Sequence, residues 1–407
     1  MAGRTGETEH VSNRPFKLPT HKNVPAERDL RDKIVTLDPN PRILIIARQG
    51  LGDALFLFPM LDHLRAKLPY ARIDLLVDQK GAEQVFRHNP SWDNLLVIRP
   101  GILGCAVRQL VETRRTRYHV ALVEFPSGNR SALIAWLLGI PVRVGHWLGG
   151  WYAGTGLFLT HMLEPNWQIH RVANNLNLLE PLGLYREGAE RPKIRFTLRD
   201  DDREGAERFL TVHEISKPFL GLHPGSKALV VAERRWPVEK YVELARRLCS
   251  EWNFHILVFG GKEEESEVTK IAASLDGRGT AVLCQPLALV AGLMDRCSLF
   301  VAGDSGPLHL ANALGIPVVG VYGPTDPAQT GPFNPGGIVV RTGIECSPCF
   351  KFSPFFHCIR ETNLCLQNLD VRSVFGACVA LLENSKSSRE ANVQGASERI
   401  KVSHARS

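Results

Sequence analysis

Gly303, Asp304, Ser305 and Gly306 stand between an apolar run and Pro307, a spacing at which a chain can handle phosphate. Leu299–Ala302 reads as a parallel strand buried on both faces, since such strands lose their polar alternation. Pro307 falls where a first helical residue is expected and Gly315 where the helix should stop. The amides around Ser305 and Gly306 are then left at a helix N-terminus without helical acceptors, a site for a phosphate or another anion. A carboxylate at Asp304 suits sugar hydroxyls there, and it equally suits a helix cap. A second strand, Ile316–Tyr322, ends in the turn Gly323-Pro324-Thr325-Asp326-Pro327, at the sheet edge where open α/β sheets bind ligands.

Three further stretches carry chemistry. Asp53 closes a GLGD loop ahead of a helical pattern; it reads as a helix cap or as a general base facing a cleft, kept ionised by the helix N-terminus. His223-Pro224-Gly225-Ser226 follows a strand and offers amides and a hydroxyl to a diphosphate, or is an ordinary Pro-Gly turn. Arg234-Arg235-Trp236-Pro237 brings paired guanidinium groups that would neutralise a leaving diphosphate, or form a solvated basic patch.

These stretches need rigid elements behind them. Arg42–Ala47, Ile73–Val77, Leu95–Ile98 and Val120–Phe125 read as strands, with helices over Asp53–Leu68, Cys105–Thr113 and Ser131–Leu138; Pro141–Gly145 reads as an edge of the same sheet. Gly149–Gly156 is a glycine-rich aromatic loop and His170–Leu182 a helix. The composition turns charged and proline-bearing over Leu184–Arg195, where a domain boundary is expected. Beyond it come a strand at Phe219–Leu222, an amphipathic helix over Val238–Trp252, a strand at His255–Phe259 and a helix over Val268–Leu275. Two successive sets of β-α units argue for two Rossmann-like domains around a cleft.

The chain of 407 residues is 44% hydrophobic and has no apolar run long enough to cross a bilayer. Its first ten residues, MAGRTGETEH, lack the apolar centre of a signal peptide, and nine cysteines, an odd number, do not describe a secreted disulfide framework. A reducing cytoplasm is the expected compartment. The net charge of +7 favours an acidic partner such as a phosphate-bearing ligand or an anionic membrane surface. No RNA-binding signature accompanies it, so nucleic acid is not an expected partner. Cys346, Cys349, Cys358 and Cys365 match a structural metal site by ligand count, but the second pair is not a CxxC, and reduced, partly buried thiols with no metal are the expectation. Trp136, Trp147, Trp151 and Tyr152 read as ordinary packing or as an acceptor-side or lipid-facing surface.

Together the stretches GLGDALFLFPMLDHLRAKLPYARIDLLV, LHPGS, RRWP and GDSGPLHLANALGIPVVGVYGPTDP resemble glycosyltransferase family 9, the lipopolysaccharide heptosyltransferases, from about Arg42 to Leu382. The resemblance implies a GT-B fold and metal-independent, inverting transfer of a sugar from a nucleotide donor. By composition residues 1–40 read as a disordered or extended tail and 385–407 as a disordered one, and the resemblance implies 41–190 as an N-terminal acceptor domain and 191–384 as a C-terminal donor domain. It implies Asp53 as the base, and Ser226, Arg234, Asp304, Ser305, Gly306 and His309 at the donor, Asp304 toward the sugar and the GDSG amides toward the diphosphate. By its bland reading His309 simply packs in the first helical turn. Family members usually carry Lys where this chain has Arg234, which keeps the charge but exchanges an ammonium for a planar fork. The implied partners are ADP-heptose, an acidic lipid-linked glycan and the inner face of the inner membrane. The rivals are a same-fold transferase with another donor or acceptor, a non-catalytic nucleotide-sugar-binding protein, and a nucleotide-sugar epimerase.

Overall fold

The computed structural model describes residues 40–384, apart from 48–49, 79, 99–109, 127–128, 148–154, 187, 189–191, 216–217, 227–233, 351–357, 359 and 361. Both tails, most of the Cys105–Thr113 pattern, Trp151, Tyr152 and the apolar Lys227–Glu233 stretch lie outside the described residues.

Two six-stranded parallel sheets organise the chain. The first holds β1 (Arg42–Ala47), β2 (Arg72–Val77), β3 (Asn94–Val97), β4 (Val120–Val123), β5 (Val142–His146) and β6 (His161–Leu163) in the order β3-β2-β1-β4-β5-β6. The second holds β7 (Phe219–His223), β8 (His255–Gly260), β9 (Gly279–Leu283), β10 (Phe300–Gly303), β11 (Val318–Val321) and β12 (Gly337–Val340) in the order β12-β11-β10-β7-β8-β9. Renumbered within its own half, each is the doubly wound order 3-2-1-4-5-6, so the winding reverses between β1 and β4 and again between β7 and β10. At such reversals the flanking helices diverge and leave a crevice at the carboxyl ends of the strands. Asp53 follows β1, His223 ends β7 and Asp304 follows β10.

The strands read as expected to within a residue or two, because buried parallel strands are continuous apolar runs; β1 is buried along all but its first residue, and β4, β7 and β10 throughout. Several elements differ. The single helix expected over Asp53–Leu68 is two, Leu51–Phe56 and Phe58–Lys67, with a turn at Leu57; Pro59 lacks the N–H that would carry one helix through this point. The His170–Leu182 helix ends at Asn177 and resumes as a 3₁₀ turn, Glu180–Leu182, that contains Pro181. β5 is not an edge, because β6 pairs outside it. The helices Lys80–Phe86, Asp200–Val212 and Leu287–Asp295, the strands β6, β9 and β12 and the C-terminal helix at 371–384 were not apparent in the sequence.

One buried apolar cluster runs from Ile43 and Phe58 on the first sheet through Leu178 and Phe196 to Phe300 and Leu308 on the second. The crossover between the halves is tied on both sides. Asn334 accepts from the Ile194 amide at 2.9 Å and donates to its carbonyl at 2.7 Å, while the Thr197 amide donates to the His88 carbonyl at 3.3 Å and Arg199 Nη2 to the Arg87 carbonyl at 2.8 Å. No described helix is long and apolar enough to cross a membrane.

Gly221 in β7 pairs in register with Phe300 of β10, and a Cβ there would lie 2.3 Å from the Phe300 ring. The ring is fully buried and cannot yield. Gly221→Ala should therefore destabilise the fold by about 1–3 kcal/mol, read as a lowered thermal unfolding midpoint; an unchanged midpoint would mean that the sheet relaxes freely.

Candidate active site

β10 and the Gly306–Ala313 helix build one side of the site. Ser305, not Asp304, is the N-cap of this helix, and its side chain makes no capping bond; the Ser305 hydroxyl donates to the Gly303 carbonyl at 3.1 Å. Gly306 is the first helical residue and Pro307 has no N–H, so the helix start presents its amides outward. Asp304 does not cap either. One carboxylate oxygen accepts from Arg234 Nη2 at 2.8 Å, and the other lies 3.3 Å from His309 Nε2. The Tyr322 hydroxyl, 3.5 Å from Asp304, gives its proton to the Thr330 carbonyl at 2.6 Å. Burial alone would raise the Asp304 pKa, but the His309 and Thr325 hydrogen bonds and the Arg234 charge together hold it well below the usual carboxylate range.

The LHPGS loop meets this cluster: the buried Ser226 hydroxyl lies 3.5 Å from the Asp304 carbonyl. The two arginines that follow have different jobs. Arg234 binds Asp304 and lies over the Phe350 ring, whereas Arg235 is spent on structure, pairing with Glu264 at 3.0 Å, Glu267 at 3.1 Å and the Ser226 carbonyl. The expected pair of diphosphate-neutralising guanidinium groups is thus one, Arg234.

The first sheet supplies the facing carboxylate. Gly50 is the N-cap of the Leu51–Phe56 helix, which puts Asp53 at its third position rather than at the cap. Its Oδ1 accepts from Arg171 Nη1 at 2.5 Å, and the side chain stays one-fifth exposed. Arg171 opens the Arg171–Asn177 helix, which is capped by His170: Nδ1 accepts from the Val172 amide, so Nε2 carries the proton and donates to the Gly331 carbonyl at 3.0 Å. Asn175 on the same helix accepts from the Phe125 amide at 2.9 Å.

The two sides touch. A Cβ on Gly52 would lie 2.9 Å from the His309 ring and 3.6 Å from Gly306 Cα, and one on Gly306 would lie 2.8 Å from Leu51. Phe56 packs between His309 and His170, with ring centroids 4.7 and 4.9 Å away, and His170 packs on Phe333. Two helix N-termini, the Asp53 carboxylate and the Arg234–Asp304–His309 cluster therefore converge where the carboxyl edges of both sheets meet. Such a place favours an anion and can hold a base beside it. Burial pushes His170 down to about 3, and burial with the Arg235 charge pushes His223 down to about 4, so both are neutral at pH 7.

The fold thus brings together Asp53, Ser226, Arg234, Asp304, Ser305, Gly306 and His309, all singled out from the sequence, on loops and first helical turns, with the Ser305 and Ser226 side chains turned into protein contacts. Sequence reading missed Arg171, His170 and Phe56. The available signal was a helix with Arg171, Asn174 and Asn175 among apolar residues that the fold buries. Burial, and then the charges of Cys349, Cys358 and Cys346, push the Cys365 thiol up to about 11. Among the described residues no group of three His, Cys, Asp or Glu side chains is placed to hold a metal ion.

Paired Rossmann-like sheets that meet at such a site make the GT-B architecture of sugar-nucleotide-dependent glycosyltransferases. This chain belongs to glycosyltransferase family 9 (heptosyltransferase), whose family model matches residues 107–359. The lipopolysaccharide heptosyltransferase 2 of Escherichia coli (strain K12) is 27% identical over 328 residues, covering 74% of this chain and 88% of that protein. The crystal structure of a family 9 glycosyltransferase from Veillonella parvula superposes with a TM-score of 0.70 at 24% identity, covering 84% of this chain and 97% of that one. E. coli ADP-heptose lipopolysaccharide heptosyltransferase II superposes with a TM-score of 0.67 at 22% identity, covering 85% and 99%. The protein is therefore a glycosyltransferase.

Two predictions follow from this geometry. Arg171→Ala, which frees the Asp53 carboxylate from its partner, should lower kcat about 10²-fold with little change in donor KM; an unaltered kcat would remove Arg171 from the site. The second concerns pH. A histidine depressed in the fold contributes its full stability above the unfolded value of 6.5 and loses it as pH falls toward the folded value. The denaturation midpoint should be flat above pH 7 and fall between pH 6.5 and 4, each of His170 and His223 costing ~2 kcal/mol by pH 5. His170→Asn should flatten part of that fall.

Proposed function

We propose that this protein transfers heptose from ADP-heptose to a hydroxyl of a lipopolysaccharide inner-core acceptor with inversion at the anomeric carbon. The observation that carries the reading is the meeting of Asp53 with the Gly306 helix N-terminus across the Gly52–His309 contact. It sets a base and an anion site on the two halves beside one contact, where a donor sugar and an acceptor hydroxyl would meet. In this reading the half built on β1–β6, about residues 41–190, holds the acceptor, and the half built on β7–β12, residues 191–384, holds the donor.

Asp53, with Oδ1 fixed by Arg171, takes the acceptor proton on Oδ2. The hydroxyl oxygen attacks the anomeric carbon from the face opposite the diphosphate, the C–O bond to phosphate breaks, and ADP leaves with the bonding pair. The Ser305 and Gly306 amides and Arg234 stabilise that charge, which lets the reaction run without a metal cofactor. Asp304, buried and bonded to Arg234 and His309, fixes both groups before the donor arrives and faces the sugar with its remaining lone pairs. Ser226 closes the LHPGS loop against the same turn. The acceptor's acidic sugars and lipid suit a chain of net charge +7 working against the cytoplasmic face of the inner membrane.

The test is ADP release from ADP-heptose with a core oligosaccharide acceptor, with and without chelator. Release should require the acceptor, survive chelation and fall 10²–10⁴-fold in Asp53→Asn, which keeps donor binding. Donor binding without turnover would point to another acceptor; an ADP-sugar that fails to bind at all would overturn the donor assignment, and loss of turnover on chelation would overturn the metal-free mechanism.

A further inference from the structure

The edge of the first sheet opposite the site has a composition that the transfer reaction does not use. All its strands are parallel, so every connection enters at this amino edge. The turns there expose large apolar tips: Tyr70, 80% exposed, before β2; Trp136, 51% exposed, in the Asn129–Leu137 helix before β5; and Leu157, 82% exposed, before β6. Between them stand arginines. Arg42 and Arg72 open β1 and β2, exposed Arg117 precedes β4, and Arg143 bonds the Ile140 and Phe158 carbonyls beside Trp136, whose ring packs on Phe158 at 5.6 Å. The acids of this edge offset little: Asp74 is buried under Arg72 and Tyr118, Asp93 pairs with Arg65, and Glu112 stands beside Arg114 and Arg115.

We propose that this amino edge is the surface that docks on a bilayer containing anionic lipid, with Tyr70, Trp136 and Leu157 entering the headgroup region and the arginines between them pairing with phosphates. The inference rests on the lipid-linked acceptor proposed above and names the surface that meets the lipid. The apolar tips, with half-exposed Leu137 beside Trp136 and Val111 on the helix before β4, stand on separate connections across four strand spacings, about 19 Å at ~4.8 Å each, and are interleaved with positive charge. A protein interface would instead gather a contiguous apolar centre depleted of charge; dispersed aromatic and leucine anchors among arginines suit a planar anionic surface. The site lies at the other end of the strands, about 20 Å away for the six residues of β1 at ~3.3 Å each. The active site then stands off the bilayer by the height of the sheet, which fits an acceptor hydroxyl carried on sugars that project from the lipid.

Flotation of the full chain with phosphatidylcholine vesicles, with and without phosphatidylglycerol, tests this. The wild type should float only with the anionic vesicles and lose flotation in high salt. Trp136→Ser/Leu157→Ser and Arg114→Glu/Arg115→Glu should each lower partitioning about tenfold or more. Both variants should keep the wild-type unfolding midpoint and wild-type ADP release with a lipid-free core oligosaccharide. Equal flotation of wild type and both variants overturns the proposal, as does a wild type that ignores anionic vesicles or self-associates in velocity sedimentation through the same residues. Failure of ADP release in the wild type would instead sink the donor and acceptor reading and leave the vesicle result to stand on its own.

Discussion

The structure depends on a backbone-to-backbone approach at the meeting of its two sheets. Gly52 and Gly306 each sit where a Cβ would collide with the opposite half, with the His309 ring in one case and with Leu51 in the other. Neither glycine is needed for an unusual dihedral; both are needed for want of a side chain. Only because those atoms are missing can the first turns of two helices, one carrying the Asp53 carboxylate and the other beginning at Gly306, come this close. The rings of Phe56, His170 and His309 fill the space beside that contact and leave it dry enough for the partial charges of the amides to matter.

Asp304 answers a second requirement, that the polar groups of the anion site be in place before the substrate is. Burying a carboxylate is costly unless it is paired, and here the pairing partners are the groups that the anion site needs, Arg234 and His309. The same economy of placement appears on the first sheet, where Arg171 fixes Asp53 and the preceding residue, His170, spans to the Gly331 carbonyl of the second half. The two halves are thus joined through adjacent residues at the start of one short helix.

Much of this was legible in the sequence because the site rides on strand-to-turn junctions. A buried parallel strand followed by Gly-Asp or His-Pro-Gly announces both the element and the edge at which it ends, which singled out Asp53, Asp304 and Ser226, while a helix cap or an ordinary turn fitted as well and only the family resemblance gave them roles. What stayed hidden depends on tertiary pairing. Arg171 sits on a helix with no turn signal of its own, and its bond to Asp53 exists only because the Arg171–Asn177 helix packs against the Leu51–Phe56 helix. Arg235 looked equivalent to Arg234 because adjacency in sequence says nothing of which face each side chain takes; Glu264 and Glu267 decide it. Strands β9 and β12 were missed because both are only partly buried and carry a weaker apolar run, and the helix break at Leu57 because the apolar period continues through Pro59.

The crossover between the halves has a mechanical consequence. Ile194 is stapled to Asn334 of the second half and Thr197 to His88 of the first, so three residue steps, at most about 11 Å of chain, join two fixed anchors. A leash this short keeps each half at a high effective concentration for the other and leaves little freedom for translation. So short a leash favours rotation over translation for any relative motion of the two halves. Closing then costs little entropy, and the binding energy of the donor is available for alignment rather than for gathering the parts together.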